Sequence, residues 1–205
     1  YGVSINEYLV ATFIWAAYQE NYRHITEDRP IRVAVPVNLR PYFDSITTKN
    51  FFVMVSAEFA PQKNEYTFAE ILTITKDSLR AQINKEHLEK IFSYNVSNEL
   101  MVVARAVPLF LKNLAMRLVY TQSALANTTT VTNIGNIKVE KVYEPYIQTV
   151  HSFLSFSKGQ SLKATITSYQ DTLVYTYTSA WQDTAIQRRV FRQIAQDGID
   201  VKIET

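Results

Sequence analysis

The chain contains no cysteine, which excludes a disulfide framework and any thiolate metal site and makes a reducing, cytoplasmic location the expectation. Glycine is scarce, with 4 in 205 residues. No Gly-rich phosphate loop and no Gly-x-Ser-x-Gly turn occurs, so a backbone nucleotide cradle and the common serine-hydrolase elbow are both absent. Histidine is limited to His24, His87 and His151, and none of them belongs to a spaced metal-ligand or acid/base pattern. Charge of one sign is also lacking: 21 basic residues face 19 acidic ones, for a formal net charge of +2, and no basic run appears. Nucleic acid is therefore not an expected partner. No apolar run is long enough to span a bilayer, and no internal repeat or low-complexity segment is visible.

What is present is the composition of a folded domain. Hydrophobic residues make up 47% of the chain and charged residues 20%, and 205 residues can bury a substantial core in a single domain, 1–205. Ser4-Ile-Asn-Glu7 reads as a capping box and opens a helix to about Arg23, with Ile5, Leu9, Phe13, Ala16 and Ala17 as its apolar stripe. Ile31–Val37 reads as a strand in which Pro36 removes a ladder donor, so the strand lies at an edge or stops pairing there. Asn50–Phe59 is nearly continuous in apolar character, which predicts a strand buried on both faces. Thr67-Phe-Ala-Glu70 is a second capping box and predicts a helix to about Phe92; Asn98–Tyr120 predicts another, with a break before Pro108. The last third reads mainly as strand: Asn127–Asn133, Ile147–Phe156, and a hairpin of Leu162–Tyr169 and Leu173–Ser179. Asp183 then caps a helix to about Gln196, Gly198 stops it, and Ile199–Glu204 reads as a short final strand. Without a regular β-α alternation, the expected fold class is α/β (α+β): a mixed β-sheet flanked by helices in a sandwich.

Two stretches carry candidate chemistry. Asn38 and Arg40 follow an apolar strand at once and bring several donors to its end. One reading buries Arg40 against a carboxylate while Asn38 caps a turn, so that the pair braces the structure; the other is direct substrate contact. In Thr128–Gly135, Thr128, Thr130 and Thr132 share one strand face while Thr129, Val131 and Asn133 share the other. A row of hydroxyls either lines a polar cavity and supplies donors to a developing oxyanion, or expresses ordinary β-propensity. Catalytic and metal-ligating residues are not identifiable from the pattern.

These residues also carry a family resemblance. Gly2-Val-Ser-Ile-Asn-Glu-Tyr-Leu9 resembles the G-V-T-x-N-D-x-L start of the C-terminal half of chloramphenicol-acetyltransferase-like proteins. Val35-Pro-Val-Asn-Leu-Arg-Pro41 followed by Asn50-Phe-Phe resembles their P-V-N-x-R … G-N-x-F region, and Thr132-Asn-Ile-Gly135 is similar to their S-N-x-G strand end. The superfamily includes peptide-synthetase condensation domains, wax-ester synthases and bacterial alcohol acetyltransferases, and the end of the chain looks most like the last of these. The resemblance implies one half of a two-half fold with a channel between the halves. It implies a missing N-terminal half that carries the acid/base histidine in a His-His-x-x-x-Asp-Gly motif, which this chain lacks. It also implies acyl transfer from a thioester, with acyl-CoA (acetyl-CoA) as donor, to an alcohol or amine acceptor, and no metal or bound cofactor. Thr130, Thr132 and Asn133 would then lie along the substrate channel, with Thr132 in place of the usual serine, and Asn38 and Arg40 would brace the centre. The chain opens on Tyr1 rather than methionine and enters a helix almost immediately. The expectation is an excised piece, inactive alone and able to self-associate through its uncovered surface. The alternatives are a non-catalytic interaction module and a condensation-type domain of a peptide synthetase.

Overall fold

A computed structural model describes residues 1–21, 25–100, 107–157 and 159–204. Helix α1 (Ile5–Asn21) begins where the capping box predicts: the Glu7 backbone N–H donates to Ser4 Oγ at 3.2 Å and the Ser4 N–H donates to Glu7 Oε2 at 2.7 Å. Leu9, Val10, Ala11, Phe13, Ile14, Ala16, Ala17 and Tyr18 are all buried, so α1 is enclosed around most of its circumference. Ile5 is the exception in the expected stripe and is exposed. His24 and Arg23, at the expected end of this helix, lie outside the described residues.

Strands β1 (Ile31–Asn38), β2 (Phe52–Phe59), β3 (Thr129–Asn136), β4 (Leu162–Tyr169) and β5 (Thr172–Ser179) form one five-stranded mixed sheet in the order β2-β1-β3-β4-β5. β1 is antiparallel to β2 and parallel to β3; β3 is parallel to β4; β4 is antiparallel to β5. Period-2 alternation sends Ile31, Val33, Val35 and Val37 to one face, opposite Phe59, Ala57, Val55 and Val53 of β2. That face packs beneath α1 and forms a single core with Leu162, Ala164 and Ile166 of β4 and Val190 and Ile194 of α5 (Ala185–Gln196). Helix α2 (Phe68–Gln82) flanks α1 and covers part of β2.

Several expectations are corrected. β2 is not buried on both faces: Val53, Val55, Ala57 and Phe59 are buried, while Phe52 and Met54 are exposed. β2 lies at the rim of the sheet, and its apolar run is split between core and solvent. Its outward backbone is partly covered instead. The Gln82 side chain donates to Ser56 O at 2.8 Å and accepts from the Ser56 N–H at 3.3 Å, and Ser78 Oγ accepts from the Glu58 N–H. The helix expected to reach Phe92 is two helices. α2 ends at Gln82, and α3 (Lys85–Leu100) starts after Asn84, whose Oδ1 accepts from the His87 N–H at 2.9 Å. Helix α4 (Leu109–Ala126) follows Pro108; residues 101–106 of the expected helix lie outside the described ones.

Ile147–Phe156 is not a strand, and neither is Ile199–Glu204. The first is an extended strap laid over β4 and β5. It is held by hydroxyls rather than by a ladder: Thr167 Oγ1 donates to Val150 O at 2.7 Å and Thr176 Oγ1 to Ser152 O at 2.5 Å. The hairpin turn is tighter than expected. Only Gln170 and Asp171 join β4 to β5, with Gln170 left-handed at φ 50°. α5 is capped one residue away from the prediction, at Thr184, although Asp183 Oδ1 does accept from the Ala185 N–H at 2.9 Å. Its end is the one expected: Gly198 at φ 83° lets its own N–H reach Ala195 O and the Ile199 N–H reach Ile194 O.

Candidate functional site

Pro36 shapes the site. The Leu39 N–H donates to Phe51 O on the β2 side, whereas Arg32 O accepts from the Thr128 N–H on the β3 side. Alternation between these two points turns the Pro36 nitrogen toward β3, where it has no hydrogen to give. Pairing with β2 accordingly runs the full length of β1, Ile31 to Asn38. Pairing with β3 covers only Val33 with Thr129 and Ala34 with Thr130. β1 is thus an interior strand whose parallel ladder stops before the proline, which is the second of the two options the sequence left open. Beyond Ala34 the ends of two neighbouring parallel strands are no longer joined. Val35–Pro41 and Thr132–Gly135, far apart in the sequence, are the carboxyl ends of these two strands at one end of the sheet.

The singled-out residues divide by face. Asn38, Thr130 and Thr132 project from the face opposite α1, in line with Ala34. Thr130 Oγ1 donates to Oε1 of the buried Gln160 at 2.9 Å, so this hydroxyl is engaged within the chain. Thr132 is half-buried, and among the described residues its hydroxyl has no hydrogen-bond partner. Asn133 is exposed and points the other way by alternation. Its Oδ1 accepts from the Gly135 N–H at 2.8 Å, closing a small turn. The β3–β4 register shifts between Asn133 and Gly135, and Gly135 sits at φ 84°. This glycine bulge re-aims the end of β3.

Arg40 is exposed and, among the described residues, meets no carboxylate, contrary to the expected buried ion pair. Its Nη2 donates to Thr47 O at 3.0 Å and Lys49 O at 2.9 Å. Its backbone N–H donates to Asn38 Oδ1 at 3.1 Å. Asn38 therefore shapes the turn after β1, and Arg40 ties down the polar loop that returns to β2.

Sequence reasoning missed the neighbours of Thr132. Thr165 pairs with Thr132 on one side and with Thr176 on the other, making a cross-strand row of threonines. Thr165 is only 2% exposed and its Oγ1 is unpartnered, as is the buried Oγ of Ser152 in the strap above. The alternation Lys163, Thr165, Thr167 was the available signal for this face. The strap's position was not readable, since it forms no ladder.

Candidate bases are few. His87 lies on α3, and His151 lies on the strap, exposed, with Nε2 at 3.1 Å from Thr149 Oγ1. Burial pushes the Tyr175 and Tyr177 phenols well above their usual range, so neither supplies a phenolate base. Among the described residues no group of His, Asp and Glu gathers to hold a metal, and no helix is long and apolar enough to cross a membrane.

No protein-family model matches the chain, and no curated protein matches it. Solved structures do match in fold. A nonribosomal peptide synthetase, FmoA3 (S1046A) with AMPPNP bound, aligns with 95% of this chain at 19% identity and a TM-score of 0.56, the match covering 19% of that protein. Polyketide synthase associated protein 5 from Mycobacterium tuberculosis aligns with 94% at 13% identity and a TM-score of 0.52, covering 44% of that protein. The starter condensation domain of rhizomide synthetase RzmA aligns with 97% at 11% identity and a TM-score of 0.47. The mixed sheet with flanking helices is therefore a fold found in the first two of these proteins, and the chain spans less than half the length of each of them.

Proposed function

We propose that this chain forms one wall of the channel of a CoA-dependent acyltransferase of the alcohol-acetyltransferase kind, the acid/base histidine being supplied by a second, N-terminal half. One observation carries the reading. The two stretches that resemble the family's P-V-N-x-R and S-N-x-G motifs become adjacent parallel strand ends, parted by Pro36. A cleft at the carboxyl ends of parallel strands is where ligands settle in open sheets. The fold likeness over nearly the whole chain supports the same reading.

In this reading the acceptor hydroxyl attacks the thioester carbonyl. A C–O bond forms, the C–S bond breaks, and the hydroxyl proton passes through the other half's histidine to the departing thiolate. Thr132, with a hydroxyl free to donate, faces the carbonyl oxygen as charge develops there. Thr130 and Asn133 shape the channel wall by holding Gln160 and the Gly135 turn.

The likeness to a nonribosomal peptide synthetase supports a second reading, a condensation-type domain whose acyl groups arrive on a carrier protein. The test presents the chain, joined to its histidine-bearing half, with acetyl-CoA and an alcohol, or with a carrier-tethered thioester and an amine. Thiol release from the first pair supports the acetyltransferase, and release from the second alone supports the condensation domain. Release from neither, in folded protein, overturns both and leaves the interaction module.

A further inference from the structure

On the outer side of the helical layer, away from the sheet, α1 and α5 leave a cleft of about 280 Å³. Its lining is Trp15 and Gln19 of α1 with Arg189, Arg192, Gln193 and Gln196 of α5. The spacing is regular. Trp15 and Gln19 are one turn apart, and Arg189, Arg192, Gln193 and Gln196 follow i, i+3, i+4, i+7, so each helix turns a single face to the cleft. That face of α5 carries hydrogen-bonding groups, while its opposite side buries Val190 and Ile194 in the core.

The chemistry is one-sided. The lining holds no carboxylate. Arg189 pairs with Glu20 beside the cleft, and among the described residues Arg192 has no hydrogen-bond or ion-pair partner. Ala185–Gln196 carries no acidic residue, and Asp197, at the helix C-cap, is engaged by the Tyr1 and Tyr8 hydroxyls and by Gln193. One unpaired guanidinium fork matches a phosphate or carboxylate. The Gln19 and Gln196 carboxamides offer paired donor and acceptor edges, which suit the edge of a purine, while Gln193 Nε2 is held by the Asp197 carboxylate at 3.4 Å. An indole offers a face on which such a ring stacks. The volume is equivalent to about nine or ten waters at ~30 Å³ each, suited to a mononucleotide rather than a dinucleotide.

We propose that this cleft binds a nucleoside monophosphate through side chains alone, without the glycine-rich loop the sequence lacks. It stands apart from the β1–β3 strand ends and does not depend on the acyltransferase reading.

The chain has two tryptophans, so Trp181→Phe leaves Trp15 as the reporter. Adenosine monophosphate titrated into the full chain carrying Trp181→Phe is expected to quench Trp15 saturably. Adenosine and inorganic phosphate, each offering half of the ligand, are expected to bind at least tenfold more weakly. Arg192→Ala is expected to weaken the nucleotide at least tenfold while leaving adenosine unchanged, and its circular dichroism is expected to match the parent because Arg192 is exposed. Gln196→Ala serves as a second variant and is expected to weaken both nucleotide and adenosine. Absence of saturable quenching, unchanged affinity in Arg192→Ala, or equal binding by salicylate would each overturn the assignment.

Discussion

At the scale of single residues, the best-buried charge among the described residues is Glu7. Its carboxylate receives Arg80 Nε at 2.7 Å and Nη2 at 3.1 Å as well as the Ser4 N–H, joining the start of α1 to the end of α2. The Arg80 guanidinium holds the Glu7 carboxyl below the usual carboxylate range, outweighing burial, which acts in the other direction. The stabilisation this represents is complete above the ordinary glutamate value of about 4.3 and is lost as pH falls through the lower folded-state value. Glu7→Gln should therefore cost about 1–3 kcal/mol at pH 7 and flatten the decline in stability on acidification. Urea titrations at neutral and acid pH check this; an unchanged pH profile would show that the pair is not responsible. In the proposed two-half enzyme, Thr132→Ala should lower turnover roughly 10²-fold if its hydroxyl meets the oxyanion, with an unchanged melting temperature. Equal turnover would make it an ordinary strand residue. Arg40 makes a different prediction from the one its sequence context suggested. With no acid to strand among the described residues, Arg40→Ala should cost about 1 kcal/mol or less and should instead speed proteolysis in the loop from Pro41 to Lys49, where it holds the Thr47 and Lys49 carbonyls.

At the scale of elements, the glycine bulge at the end of β3 is the most exposed to test. An added Cβ at Gly135 would meet nothing within 4 Å, so space is not the constraint; the left-handed backbone at φ 84° is. Gly135→Ala should destabilise by about 1–2 kcal/mol through backbone strain alone, measurable by chemical denaturation. A neutral effect would mean that the strand end relaxes out of its bulge. Local signals were legible where the residues that decide an element lie within it. Both capping boxes, the β4–β5 hairpin and the Gly198 stop are of that kind. Pro36 was half legible: its missing donor limited the options, but which neighbour it faced depended on a strand nearly a hundred residues away. The break at Ile83 and Asn84 was hidden because both residues continue a helical pattern tolerably well. Ile147–Phe156 carries strand-like residues, yet Thr167 and Thr176 occupy its carbonyls, and only the folded neighbourhood decides that. Likewise, nothing inside Phe52–Phe59 says that this strand lies at the rim of the sheet.

At the scale of the whole molecule, apolar surface is unevenly distributed. The sheet face beneath α1 is closed, whereas α4 exposes Phe110, Leu114 and Leu118 along one row, and Phe52 and Met54 stand uncovered on the rim strand. In the proposed enzyme the second half would cover part of this surface. The two strand ends, with Asn38 on one and Thr132 on the other, would then line a channel rather than an open edge. The most direct measurement is free-thiol release from acetyl-CoA in the presence of an alcohol, by this chain alone and after joining to the histidine-bearing half. The account predicts no release above the uncatalysed rate from the chain alone and turnover once the halves are joined; turnover by the chain alone would contradict it.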